Sequence, residues 1–133
     1  MTALRQTFTK DERLRSRKMI EKIISEGKSV HVYPFRFSWT RTELKTNFPV
    51  QFAIAVPKRF FKRAVDRNRI KRLVREVYRK NKSELYVLLK ARNIQCALLV
   101  IFSGKSVPVY DEVEKKFLIT LQRFEETILK TSG

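Results

Sequence analysis

Two hydrophobic periodicities alternate along the chain. At residues 66–80 apolar positions recur at helical spacing: Ile70, Leu73, Val74 and Val77 share one side, with Tyr78 at its edge. Further upstream, Met19, Ile20, Ile23 and Ile24 form a shorter stripe, with Lys18, Glu21 and Lys22 facing water. Ser16 suits the N-cap of that helix and Gly27 its stop. From residue 29 to 40 the period changes to two, and Phe35, Phe37 and Trp39 alternate with Arg36, Ser38 and Thr40. This predicts one strand with Pro34 at its start or at a sheet edge. Residues 41–49 are polar and read as a loop or hairpin tip.

Residues 50–56 predict a second strand, with Phe52, Ile54 and Val56 on one face and Gln51, Ala53 and Ala55 on the other. The small residues leave room against the sheet for a core helix or for a nucleic-acid strand. Pro57 closes this strand, and a helix follows over about 63–80. Ser83 suits the cap of a separate short helix ending at Leu89. Residues 94–102 are almost continuously apolar, the pattern of a central strand covered on both faces. After a turn containing Gly104, a last helix runs from Tyr110 or Asp111 to about Ile128. Its buried stripe is Val113, Phe117, Leu121, Phe124 and Ile128. Asp111, Glu112 and Glu114 suit the positive end of its dipole. The order of elements predicts an α+β layer fold, helices packed on a small sheet. A length of 133 residues suits one domain with a real core, and residues 1–15 read as a basic, partly mobile arm.

Charge sharpens the reading of the central helix. The chain carries 30 Lys and Arg against 13 Asp and Glu, a net +17. Twelve of the 25 residues at 58–82 are Lys or Arg, and only Asp66 and Glu76 are acidic. Opposite the apolar side, Asn68, Arg72, Arg75 and Arg79 form a polar stripe flanked by Lys71. A helix with its other face buried would hold these guanidinium groups in a fixed row roughly 20 Å long. Guanidinium is planar, always charged and matches phosphate oxygens two at a time. A merely solvated face mixes signs at i, i+4; here only Glu76 does so. The implied partner is a polyanion, nucleic acid first and an anionic membrane second. No apolar run approaches the length of a membrane span, and the N-terminus has no apolar segment resembling a signal peptide. Cys96 is the one cysteine, which fits a reducing cytoplasm, and its apolar neighbours read it as a buried, inert thiol.

Catalytic chemistry is hard to assemble from these residues. His31 is the only histidine, so one chain cannot run a two-histidine ribonuclease mechanism. There is no Cys/His cluster for zinc. Asp11 with Glu12, and Asp111 with Glu112, are adjacent pairs that share no helix face. The three glycines form no phosphate loop or GxxG clamp. Phe35, Phe37 and Trp39 read as core in preference to a base-stacking platform. No catalytic residue and no protein-held metal is expected.

One run carries a family likeness. Lys58-Arg59-x-x-Lys62-Arg63-Ala64-x-x-Arg67-Asn68-Arg69-Ile70-Lys71-Arg72-Leu73-x-Arg75-Glu76, following an apolar strand, resembles the signature of the bacterial ribonuclease P protein component. The likeness continues more weakly through Arg13-Leu14 with the first helix, and through Tyr110-Asp111-Glu112, covering about residues 8–128. The resemblance implies a sheet of about four strands packed with helices, the basic helix lying in a left-handed β-α-β crossover. Connection rules alone would favour a right-handed one. It also implies a role: the protein joins a catalytic RNA, which carries the catalytic Mg²⁺ and removes the 5′ leader of precursor tRNA. By position, Lys58, Arg59, Lys62, Arg63, Arg67, Asn68, Arg69, Lys71, Arg72 and Arg75 would contact RNA; the charge stripe adds Arg79. A cleft between the first helix and the sheet would hold the leader, with Ile20, Ile24, Ala53 and Ala55 at its walls. Ile20 and Ile24 stand where family members often carry aromatic residues. Phe102-Ser103 stands where a basic residue often follows the last strand.

Three other readings compete with this one. They are a structural RNA-binding protein of ribosomal type with no role in tRNA processing, a DNA-binding module using the basic helix, and an enzyme with its own active site. Neither a membrane nor a small-molecule substrate is expected as partner.

Overall fold

The computed structural model describes residues 8–130. The chain order is a 3-10 turn at Lys10–Glu12, then α1 (Arg17–Glu26), β1 (Lys28–Val32), β2 (Phe35–Arg41), β3 (Val50–Ala55), α2 (Ala64–Ala91), β4 (Cys96–Phe102) and α3 (Tyr110–Lys130). The four strands form one mixed sheet in the order β1-β2-β4-β3. β1–β2 and β2–β4 are antiparallel, whereas β3 and β4 are parallel and joined through α2. This is the expected α+β layering.

β4 is central, and its side chains alternate between two cores. Cys96, Leu98, Val100 and Phe102 join the large core under α2 and α3, with Phe35, Phe37, Trp39 and Phe52 from neighbouring strands. Ala97 and Leu99 face the other way, onto Leu14 and Ile23 of a smaller core beneath α1. Ala53 and Ala55 border that smaller core, so α1 occupies part of the room their size leaves. The five-residue stripe expected on α3 is buried throughout. Its Phe117 ring meets Phe37 at 5.0 Å, Phe35 at 5.6 Å and Tyr78 at 6.4 Å between centroids. Cys96 is wholly buried, and burial pushes its thiol up to about 12.

Two boundaries and two burial assignments differ from the sequence reading. The single strand expected over 29–40 is a hairpin, folded at a cis Tyr33–Pro34 turn. Alternation holds on both sides of the turn but shifts phase there, from Val30 and Val32 to Phe35, Phe37 and Trp39, and one strand read straight through passes over that shift. The helix at 63–80 and the short helix after Ser83 are one helix, Ala64–Ala91. No Gly or Pro interrupts it, and Leu85, Tyr86 and Leu89 continue the buried stripe of Ile70, Val74 and Val77. Tyr78 lies wholly inside the core, not at its edge. Ile24 of α1 is 67% exposed, because only Ile23 is fully buried and Met19 and Ile20 cover the margin.

α1 begins and ends as its sequence suggests. Ser16 Oγ accepts from the Met19 N–H at 3.2 Å. Gly27 is required by close approach, since a Cβ there would lie 2.4 Å from Ile23 O and 2.9 Å from Trp39 O.

Phe117→Ala is expected to cost about 3–5 kcal/mol, because it empties the meeting point of sheet, α2 and α3. Ile54 is only half-buried, and Ile54→Ala should cost distinctly less. Urea unfolding midpoints of the two variants check this ordering; equal losses would contradict it.

Candidate nucleic-acid interface

The interface starts from a local signal in residues 9–12, Thr-Lys-Asp-Glu, which matches the capping-box pattern. Glu12 reaches back and accepts from the Thr9 N–H (2.9 Å) and Thr9 Oγ1 (3.1 Å). Its other oxygen accepts from Lys82 Nζ and from Tyr86 Oη at 2.6 Å, both on α2. Tyr86 O–H is spent on Glu12, so Tyr78 O–H donates to the Tyr86 oxygen at 2.8 Å. Glu12 is wholly buried and Lys82 nearly so. Burial alone would push the Glu12 carboxyl up, but the donors from Lys82, Thr9 and Tyr86 outweigh it and hold it below the ordinary value. Burial raises both tyrosines, with Glu12 adding to the effect.

This anchor places the next residues along β3, an edge strand. Arg13 bridges to Phe52 in parallel fashion, and the Leu14 N–H donates to Phe52 O at 3.0 Å. Phe8 packs edge-on against Phe52 and Tyr78, and the Arg13 guanidinium lies 5.6 Å from the Phe8 ring centre. The expected basic arm is therefore docked from residue 8 onward; its residues 1–7 lie outside the described part.

A groove of ≈310 Å³ opens where this segment meets α2 and β3. Its apolar lining is Phe8, Leu14, Ile20, Phe52, Ala53 and Ile54, and its charged lining is Arg13, Arg15 and Arg75. Among the described residues no carboxylate lines it. Burial, and then the like charge of Arg13, lower the Arg75 guanidinium from its ordinary value. Like charges gathered without a counter-ion favour an anion between them.

Two of the four expected cleft residues, Ile20 and Ala53, line this groove. Ala55 instead borders the core beneath α1, and Ile24 is exposed outside the groove. The basic positions divide by environment. Lys58, Arg59, Lys62 and Arg63 are exposed in the segment between β3 and α2, with Arg59 stacked on the Phe60 ring at 4.8 Å. Asn68, Arg69, Arg72 and Arg75 are exposed on α2, and Lys71 is half-buried. Arg67 turns back to brace the basic segment, donating to Phe61 O (2.7 Å) and Lys62 O (2.9 Å). Arg79 forms a two-point pair with Glu76, its Nε donating at 3.1 Å. That pair lowers Glu76 and raises Arg79, so this end of the stripe is already partly neutralised. Lys82, counted in the basic window, is committed to the buried Glu12.

Arg13, Arg15 and Phe8 were absent from the sequence-derived site. The Thr9…Glu12 capping pattern was the available signal that the segment is ordered. Among the described residues no group of three or more His, Cys, Asp or Glu is placed to hold a metal ion. A Mg²⁺ site needs oxygen ligands, and an arginine-lined groove does not fit one. Nor is any described helix long and apolar enough to cross a membrane.

Comparison with known proteins gives a consistent set of likenesses. A family model described as Ribonuclease P matches residues 8–125. The chain is 36% identical over 116 residues to the "Ribonuclease P protein component" of Porphyromonas gingivalis, spanning 87% of this chain and 85% of that protein. The protein of the same description from Chlorobium phaeobacteroides is 34% identical over 115 residues, 79% of each chain. The solved RNase P protein of Thermotoga maritima superposes with a TM-score of 0.66 at 28% identity, covering 84% of this chain and 96% of that one. The Staphylococcus aureus RNase P protein, at 20% identity and a TM-score of 0.65, shares the fold.

The buried Glu12 makes stability depend on acid in a defined direction. A carboxyl held below its unfolded value stabilises the fold fully above about pH 4.3, and that contribution is lost as pH falls through the folded value. Glu12→Gln should cost about 3–5 kcal/mol near neutrality. Its deficit relative to the parent should shrink as pH drops below the carboxylate range. Denaturant midpoints of both proteins across that range check this; a constant deficit would contradict it.

Proposed function

The chain belongs to the ribonuclease P protein family, and on that premise we propose that it is the protein subunit of a ribonucleoprotein endonuclease. It joins a catalytic RNA and holds the 5′ leader of precursor tRNA while the RNA removes that leader. The observation that carries this reading is the apolar groove lined by Arg13, Arg15 and Arg75 beside the exposed basic side of α2. Two surfaces at one junction suit two RNA segments. The exposed Lys58, Arg59, Lys62, Arg63, Arg69 and Arg72 would neutralise phosphates of the folded catalytic RNA. The groove would take a single strand, phosphates toward the three arginines and bases against Phe8, Ile20 and Ile54. Hydrolytic chemistry stays with the RNA and its Mg²⁺, since the groove offers neither a base nor a metal ligand. The setting is the cytoplasm, where the lone Cys96 thiol stays reduced.

The experiment measures affinity of precursor tRNA for the catalytic RNA with and without the chain, using leaders of one and about eight nucleotides. The chain should strengthen binding of the long leader far more than the short one, and the gain should fade as salt rises. Arg72→Ala with Arg75→Ala should weaken RNA binding by about 1.5–3 kcal/mol per lost charge-assisted contact, with the melting temperature nearly unchanged. Equal enhancement for both leaders would remove the leader from the groove. Absence of any effect on processing, with RNA binding intact, would make the chain a structural RNA-binding protein instead.

A further inference from the structure

We propose that a second pocket, formed by the β1–β2 turn, the β4–α3 connection and the first turns of α3, binds an unpaired nucleobase of the RNA partner. This inference rests on the RNA-binding reading above. The pocket is ≈330 Å³ and lies apart from the arginine groove, sharing none of its lining residues. Phe102, Pro34, Pro108 and Val113 give it an apolar floor. Tyr33 stands at its rim, 60% exposed. Gly104 keeps the connecting loop flat on that floor, since a Cβ there would lie 2.5 Å from the Phe102 ring.

Charge identifies the occupant. Lys105, Lys115 and Lys116 line the pocket, and among the described residues none of the three forms an ion pair. One carboxylate, Glu112, lies with them. An aromatic rim over an apolar floor suits a base, and free ammonium groups around it suit the flanking phosphates. Glu112 can accept from an exocyclic amine, which cytosine has and uracil lacks. The pocket also adjoins the basic segment before α2. Phe61, between Arg59 and Lys62, packs its ring on Phe102 at 6.0 Å between centroids.

The test uses the full chain with the Tyr33→Trp substitution as a reporter. The native Trp39 is 1% exposed and should stay silent. An oligocytidylate of about eight nucleotides should quench the reporter, and oligouridylate should do so more weakly. Tyr33→Ala should reduce oligocytidylate affinity about fivefold or more. Lys105→Ala with Lys115→Ala should flatten its salt dependence, and Glu112→Gln should abolish the preference for cytidine. If the parent chain binds the catalytic RNA and the oligomers while the reporter stays unquenched and Tyr33→Ala binds normally, the pocket assignment is wrong and the subunit reading stands. If Tyr33→Ala changes only the sedimenting mass, the pocket is a contact between copies of the chain, which also overturns it. If the parent chain binds no RNA, the subunit reading fails, and the pocket with it.

Discussion

A single buried carboxylate organises the functional surface. Glu12 is enclosed by donors from its own turn and from α2, seventy residues along the chain from Lys82. Such a pair is a poor source of net stability, because removing two charges from water costs several kcal/mol per ion. Its effect is positional. An extended segment that would otherwise lie loosely at a sheet edge is fixed in one register, with Arg13 and Leu14 along Phe52. Once formed, the pair is hard to break singly, since either partner alone would be a buried, unsatisfied charge.

That fixed register is what allows Arg13 to approach Arg75. The two guanidinium groups repel, and partial burial at the base of an exposed side chain, then that repulsion, lower Arg75. An untethered segment would relax the approach by moving away. The uninterrupted α2 makes the arrangement possible, because its first half exposes Asn68, Arg69 and Arg72 while its second half supplies Lys82 and Tyr86 to the interior. A break near Ser83 would uncouple the anchor from the basic face. The groove is thus assembled from the 8–15 segment, α1, β3 and α2.

The parts readable in the sequence were those with a strong local period. The stripe on α3, the core aromatics of β2 and the basic side of α2 needed only spacing and charge. The hairpin was missed because the alternation of Phe35, Phe37 and Trp39 was carried back to residue 29, although Val30 and Val32 hold it in the opposite phase and Pro34 stands at the break. The unbroken α2 was missed because Ser83 carries a cap signal, which Leu85, Tyr86 and Leu89 override through burial. The groove was half legible. Ile20 and Ala53 belong to the cleft that the family resemblance implies, which also named Ile24 and Ala55, whereas Arg13 and Arg15 depend on the Glu12–Lys82 pairing, a long-range contact that no periodicity encodes. Charge counting also misplaced Lys82, which looks like any other lysine of the basic window.

The most direct test of this account is hydrogen exchange in Lys82→Met, read at the Leu14 amide, which donates to Phe52 O. Loss of the anchor should release residues 9–15 locally. The Leu14 amide should then exchange much faster than in the parent, while the amides of β4 remain protected. Parent-like protection of Leu14 in that variant would show that the segment docks without the buried pair, and would contradict the central role given to Glu12.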